Sequence, residues 1–183
     1  DHASKQSQAH MFRSMVSNES GQFVLAVVKA VDDTFPFTQS WTFTEKMSDS
    51  GSMPLRNQVW LTTDAALALG ASLGDYIDIG YQSFEVTAIV LPDLEQMGNW
   101  FEFSPRLYIN LDSVGSTRVI QPGSLTFWHW YFTGPDEPLN ELKAQLEEQL
   151  SSSDVIETQA DSQFRKNLIL DRIFGYLHWF GMM

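Results

Sequence analysis

Between residues 22 and 31 the sequence QFVLAVVKAV is apolar at nearly every position, the pattern of a strand covered on both faces. It follows His10–Val16, and the turn-rich Ser17-Asn18-Glu19-Ser20-Gly21 lies between them, so two strands are predicted around a loop. Residues 1–9 are polar and helix-compatible and read as the tail of a helix. Residues 32–58 hold no clean period and carry Pro36, Gly51 and Pro54, which predicts loops with short extended pieces. Val59-Trp60-Leu61 is a short strand, Thr62 or Thr63 can cap a helix over Asp64–Leu69, and Gly70 stops it. Two strands follow, Tyr76–Ile79 and Ser83–Val90, joined at Gly80-Tyr81-Gln82. In the second, Phe84, Val86, Ala88 and Val90 alternate with Glu85, Thr87 and Ile89, as in a half-buried strand.

A loop over Leu91–Ser104 precedes a strand at Arg106–Asn110 and a helical turn at Leu111–Val114. After Pro122-Gly123 the pattern becomes β-α-β. Ser124–Thr133 is a strand. Leu139–Leu150 is an amphipathic helix, with Leu139, Leu142, Leu146 and Leu150 on one face, and Asp154–Thr158 is a second strand. Residues 161–181 form a long helix that grows more apolar towards its end.

Composition narrows the function. The chain of 183 residues is 43% hydrophobic and holds 13 Phe, 6 Trp and 5 Tyr, enough for a real core. Its formal charge is −12, which repels phosphate backbones and excludes nucleic acid as a partner. The absence of cysteine removes thiol and Cys-based metal chemistry and fits an oxidising, extracytoplasmic site. No apolar run approaches the roughly 20 residues that span a bilayer, and the polar Asp1–His10 is no signal peptide. The expectation is a piece of a longer membrane protein, exported by segments outside it.

Catalytic and metal motifs are absent: no GxxxxGK, GxGxxG, GxSxG or HExxH occurs. His2, His10, His129 and His178 are scattered, with no ligand spacing on one helix face. His129 lies in FWHWYF (127–132), where Phe127, His129 and Tyr131 share one strand face and Trp128, Trp130 and Phe132 the other. A sheet packed on one side and partly covered on the other accounts for it without catalysis. Asp32-Asp33 and Glu45 lack the oxygen spacing of a calcium loop and read as solvated carboxylates, as do Glu141, Glu147 and Glu148 on the outer face of their helix. Two apolar features stand out. The loop MGNWFEF (97–103) sets Trp100, Phe101 and Phe103 beside Gly98 and Asn99, a candidate contact for a partner or lipid-like ligand. The last helix carries Phe174, Tyr176, Leu177, Trp179 and Phe180, as a helix does on entering a membrane interface. Packing over the core is the alternative for both.

The order of segments VVKAV (27–31), VWL (59–61), LGASLGDYIDIG (69–80), FEVTAIV (84–90), SPRLYINL (104–111) and IQPGS (120–124) resembles the periplasmic domain of the FtsX/MacB-type ABC-transporter permease superfamily, the YbbP-type group in particular. DSQFRKNLILDRIFGYL (161–177) matches that family's helix leading into a membrane span. One departure is Thr34-Phe35-Pro36-Phe37-Thr38, which lacks the arginine and glycine of the family's turn after the KAV strand.

The resemblance implies an α+β, two-lobe MacB-type periplasmic domain. An α/β lobe (1–33 plus 120–160) would carry an inserted mainly-β lobe (34–119), and a helix over 161–183 would lead to the membrane. It also implies an inner-membrane parent with this domain in the periplasm, a cytoplasmic ABC ATPase subunit, and a periplasmic lysophospholipase or thioesterase partner with hydrophobic cargo. The expected function is a relay of ATP-driven motion to a partner or lipid-like substrate. It uses no active site, metal or cofactor, takes Trp100, Phe101 and Phe103 as the contact, and takes the helix over 161–181 as the lever. The alternatives are a freestanding periplasmic ligand-binding domain and a hydrolase using His129.

Overall fold

The computed structural model describes residues 5–35, 41–48, 50–91, 104–151 and 154–158. The chain divides into two compact units, Asp1–Pro92 with Ser104–Pro135, and Asp93–Phe103 with Asp136–Met183. The first unit holds β1 (Lys5–Asn18), β2 (Phe23–Val31), β3 (Phe43–Lys46), β4 (Gln58–Thr62), α1 (Thr63–Leu69), β5 (Tyr76–Ile79), β6 (Gln82–Val90), β7 (Arg106–Asn110), α2 (Val114–Thr117) and β8 (Thr126–Thr133).

Six of these strands close on themselves. Around the ring β1 pairs with β2, β2 with β7, β7 with β4, β4 with β6, β6 with β5, and β5 again with β1. The β2–β7 and β4–β6 pairs are parallel and the others antiparallel. Closure is possible because β1 is 14 residues long. One edge pairs with β2 over Ala9–Ser17; the other pairs with β5 over Val16–Asn18 and with β8 over Lys5–Phe12. β8 and β3 are added outside the ring, on β1 and β6. The ring takes strands from both sides of residue 33.

Alternate residues of all six strands, among them Phe12, Val28, Leu61, Ile77, Phe84 and Ile109, meet in one cluster that fills the ring, and Ala65, Ala66 and Leu69 of α1 join it. A second cluster lies against the outer side of the same strands. There Val31, Trp60, Ala88, Val90 and Tyr108 are covered by Phe35 and Met53, with Trp41 packed against them. Trp41 meets Trp60 and Tyr108 edge-on, at centroid distances of 5.2 and 4.8 Å. The stretch after β2, expected to be loop, therefore supplies a cover that buries the middle of the sheet on both sides.

Several expectations change. Residues 5–9 are strand rather than helix, because Asp32 holds them: its carboxylate accepts from Ser7 Oγ at 2.7 Å and from the Gln8 amide at 2.6 Å. That carboxylate also accepts from the Thr34 amide and hydroxyl, so Asp32 is a structural clamp and not a solvated side chain. The alternation of β6 fails after Val86. The β4–β6 register passes from Val59↔Val86 to Trp60↔Ala88, so Thr87 is bulged out and the faces swap beyond it. Trp60 Nε1 donates to the Thr87 hydroxyl at 3.1 Å. Thr62 occupies the N-cap position of α1 without capping it; its hydroxyl bonds to the backbone of Arg106 instead. Gly70 does end α1, in the left-handed conformation at φ 59°.

In the second unit α3 runs over Asp136–Gln149, three residues earlier at its start than the leucine pattern gave. Leu139, Leu142 and Leu146 are half-buried, Leu150 lies just past its end, and Glu141, Glu147 and Glu148 are exposed. Residues 154–158 are not a strand, so no β-α-β unit forms among the described residues. β8 is tied to the sheet by its antiparallel ladder with β1 instead. The chain is α+β.

Candidate interaction surface

The two surfaces singled out in the sequence, Trp100, Phe101 and Phe103 in the loop and Phe174, Tyr176, Leu177, Trp179 and Phe180 in the last helix, lie outside the described residues. The aromatic strand β8 is described. Its ladder with β1 sets Phe127 opposite Met11, His129 opposite Ala9 and Tyr131 opposite Ser7 on one face, and Trp128 opposite His10, Trp130 opposite Gln8 and Phe132 opposite Gln6 on the other. The division of side chains between faces is the one the alternation predicts. Their burial is not: Phe127 is 54% exposed, and Trp128 and Trp130 are each 52% exposed.

On the first face Tyr131 packs on Phe35 at 5.4 Å between centroids, and the Lys29 ammonium lies over both rings, 4.3 Å from Phe35 and 5.4 Å from Tyr131. Lys29 is fully buried, and the two ring faces give its charge a favourable setting that a purely aliphatic shell would not. His129 is half-buried and tilts towards Tyr131, 6.2 Å away. On the second face His10 stacks under Trp128 at 4.1 Å, with 12° between the planes, and its Nε2 has no hydrogen-bond partner among the described residues. Burial lowers the pKa of His10 from its ordinary value, which favours the neutral ring in this apolar stack. No group of three His, Asp or Glu that could hold a metal occurs among the described residues.

A further exposed apolar group is one the sequence pattern concealed. QFVLAVVKAV reads as covered throughout, yet Phe23 and Leu25 at its start are 66% and 54% exposed, beside Met15 at 54%. They lie on the half of the β1–β2 hairpin next to its turn, on the same face as Phe127, while Ala26 and Val28 of the same strand point into the ring. The available signal was the adjoining turn, since strand ends beside a loop are where cover runs out.

Comparison with known proteins agrees with this architecture. No family model matches the chain. It is 32% identical over 126 residues to the uncharacterized ABC transporter permease YbbP of Escherichia coli strain K12. That match takes in 69% of this chain and 15% of the permease, so the chain spans a small part of its relative's length. Among solved structures, the fold is similar to the periplasmic region of MacB from Actinobacillus actinomycetemcomitans, at a TM-score of 0.51 and 14% identity, covering 78% of this chain and 64% of that one. It is also similar to the extracellular domain of the noncanonic ABC-type transporter YknZ from Gram-positive bacteria, at a TM-score of 0.53 and 9% identity, covering 79% and 71%. The chain is a relative of the YbbP-type ABC-transporter permeases and has the MacB-type periplasmic fold.

Proposed function

We propose that the chain is the extracytoplasmic domain of an ABC-transporter permease subunit, relaying ATP-driven motion to a partner or hydrophobic substrate without chemistry of its own. The observation that carries this is the agreement of two independent likenesses. The sequence relative is a permease, and the fold is shared with extracytoplasmic domains of two other transporters. Among the described residues no helix is long and apolar enough to cross a membrane. The parent sits in the inner membrane with this domain in the periplasm, and a cytoplasmic ATPase subunit drives it.

A closed ring packed on both sides suits a relay. Interiors at crystal-like density move as units rather than deforming, so displacement at one end is transmitted to the other. The loop with Trp100, Phe101 and Phe103 is the proposed contact, and the helix over 161–181 the lever. The lysophospholipase or thioesterase partner rests on the family resemblance alone. The test is purification of the full-length parent from detergent-solubilised membranes. Recovery of a stoichiometric ATPase whose hydrolysis rate changes when this domain is deleted supports the reading. A parent that extracts into buffer without detergent and carries no ATPase overturns it.

A further inference from the structure

We infer that His10 is the catch of an acid-operated latch, in which protonation of its buried ring frees β8 from β1 while the six-strand ring stays closed. This goes beyond the proposed relay and does not depend on it. His10 is 6% exposed, and its Nε2 has no hydrogen-bond partner among the described residues. Trp128 lies flat over the imidazole at 4.1 Å, and Phe12 meets it edge-on at 5.9 Å. The registers set His10 between Ala30 of β2 and Trp128 of β8, with Gln8 and Phe12 on the same side of β1. None of these neighbours titrates. The charged and titratable side chains of the three strands, Lys5, Arg13, Lys29, His129 and Tyr131, fall on the opposite face by the same alternation. A proton added here creates a buried charge and an N–H without an acceptor. The indole face offsets part of that cost, but in a parallel stack the imidazole N–H bonds point past it. Burial accordingly lowers the pKa of His10 from its ordinary value.

β8 is the element that yields. Among the described residues it joins the sheet through β1 alone, whereas β1 is also held by β2 over Ala9–Ser17 and by β5 over Val16–Asn18. No side chain of β8 is fully buried, and Trp128 and Trp130, on the face of His10, are each about half exposed. Lifting the strand therefore gives up little apolar burial, and it opens to water the side of His10 that Trp128 covers. Proton uptake favours the state in which the imidazole is hydrated. The stack thus holds fully above pH 6.5 and weakens as pH falls below that value. Tyr131, packed on Phe35 on the other face, keeps β8 seated at neutral pH and does not sense the proton on His10.

The experiment measures amide hydrogen exchange in the isotope-labelled 183-residue chain at about pH 7.5 and about pH 5, with the imidazole resonances titrated in parallel. Rates are corrected for the pH dependence of intrinsic exchange. Expected is a loss of protection of about tenfold in the β8 amides bonded to β1 at the lower pH, following the titration of His10, while β4 and β6 keep theirs. His10→Phe keeps a flat ring on Trp128 without the proton and should leave β8 equally protected at both pH values. His129→Gln should retain the response. Unchanged protection of β8 in the native chain overturns the inference. So does a parallel loss in β4 and β6, which is global unfolding, or a response that survives His10→Phe or disappears in His129→Gln. The measurements on the native chain need no variant, so a variant that fails to fold leaves the inference refutable. None of these readouts involves the ATPase, so failure here leaves the permease reading to its own test.

Discussion

Thr62 illustrates how a single hydroxyl holds two strands in register. Its Oγ donates to the Arg106 carbonyl at 3.0 Å and accepts from the Arg106 amide at 3.1 Å, all within the buried interior. Thr62→Val keeps the shape and strands both backbone groups, so a loss of about 2–3 kcal/mol is expected, read as a lower urea midpoint at unchanged slope. Gly80 is fixed for two reasons at once. Its φ is +61°, and a Cβ there would be driven into the Thr117 carbonyl oxygen, which already accepts from the Tyr81 amide at 3.0 Å. Gly80→Ala should therefore cost at least about 3 kcal/mol, more than the backbone preference alone. His10 makes stability depend on pH. Desolvation lowers its folded pKa below the ordinary value of 6.5, so below that value the unfolded state binds the extra proton. Its contribution is full above pH 6.5 and is lost as pH falls through that value towards the folded pKa. Comparing denaturation midpoints from pH 7.5 to 5, His10→Gln should show a shallower decline than the native chain; equal slopes would mean His10 is not the group responsible.

Among the elements, β6 carries the most information per residue. One extra residue, Thr87, lets Phe84 and Val86 fill the ring while Ala88 and Val90 join the outer cluster. Deleting Thr87 would remove the bulge but leave Ala88 and Val90 on the outer face, because they already pair with β4 in the register that skips Thr87; what the deletion takes away is the hydroxyl that accepts from Trp60 Nε1. β1 and α3 show opposite outcomes for pattern reading. The polar residues 5–9 are strand because Asp32, Ser7 and Gln8 lock them in place. The leucines of α3 announce a helix that is there, with half-buried leucines on one face.

For the molecule as a whole, a formal charge of −12 on 183 residues means that self-repulsion opposes the compact state. Exposed charges are screened over about 10 Å at 0.1 M ionic strength, so raising salt from 10 to 150 mM should raise the melting temperature by several degrees. A flat or falling dependence would show that local attractions such as Arg56–Asp112 outweigh the net repulsion. Closure of the ring answers the edge problem for its six strands.

The sequence by itself determined which segments are strands from β4 to β7, the helix α1 and its glycine stop, and the family. Each rests on information carried within a few residues: alternation, turn chemistry, or a run of matching segments. The aromatic strand was equally visible, and so was the division of its side chains between two faces. Only the tertiary structure decided that β1 closes a ring, that the stretch around Phe35, Trp41 and Met53 roofs the sheet, that Lys29 is buried, and that Phe23 and Leu25 are not. Those outcomes depend on which distant segment comes to lie above a given face. Exposure is a property of the neighbours a side chain acquires, and local sequence does not encode them.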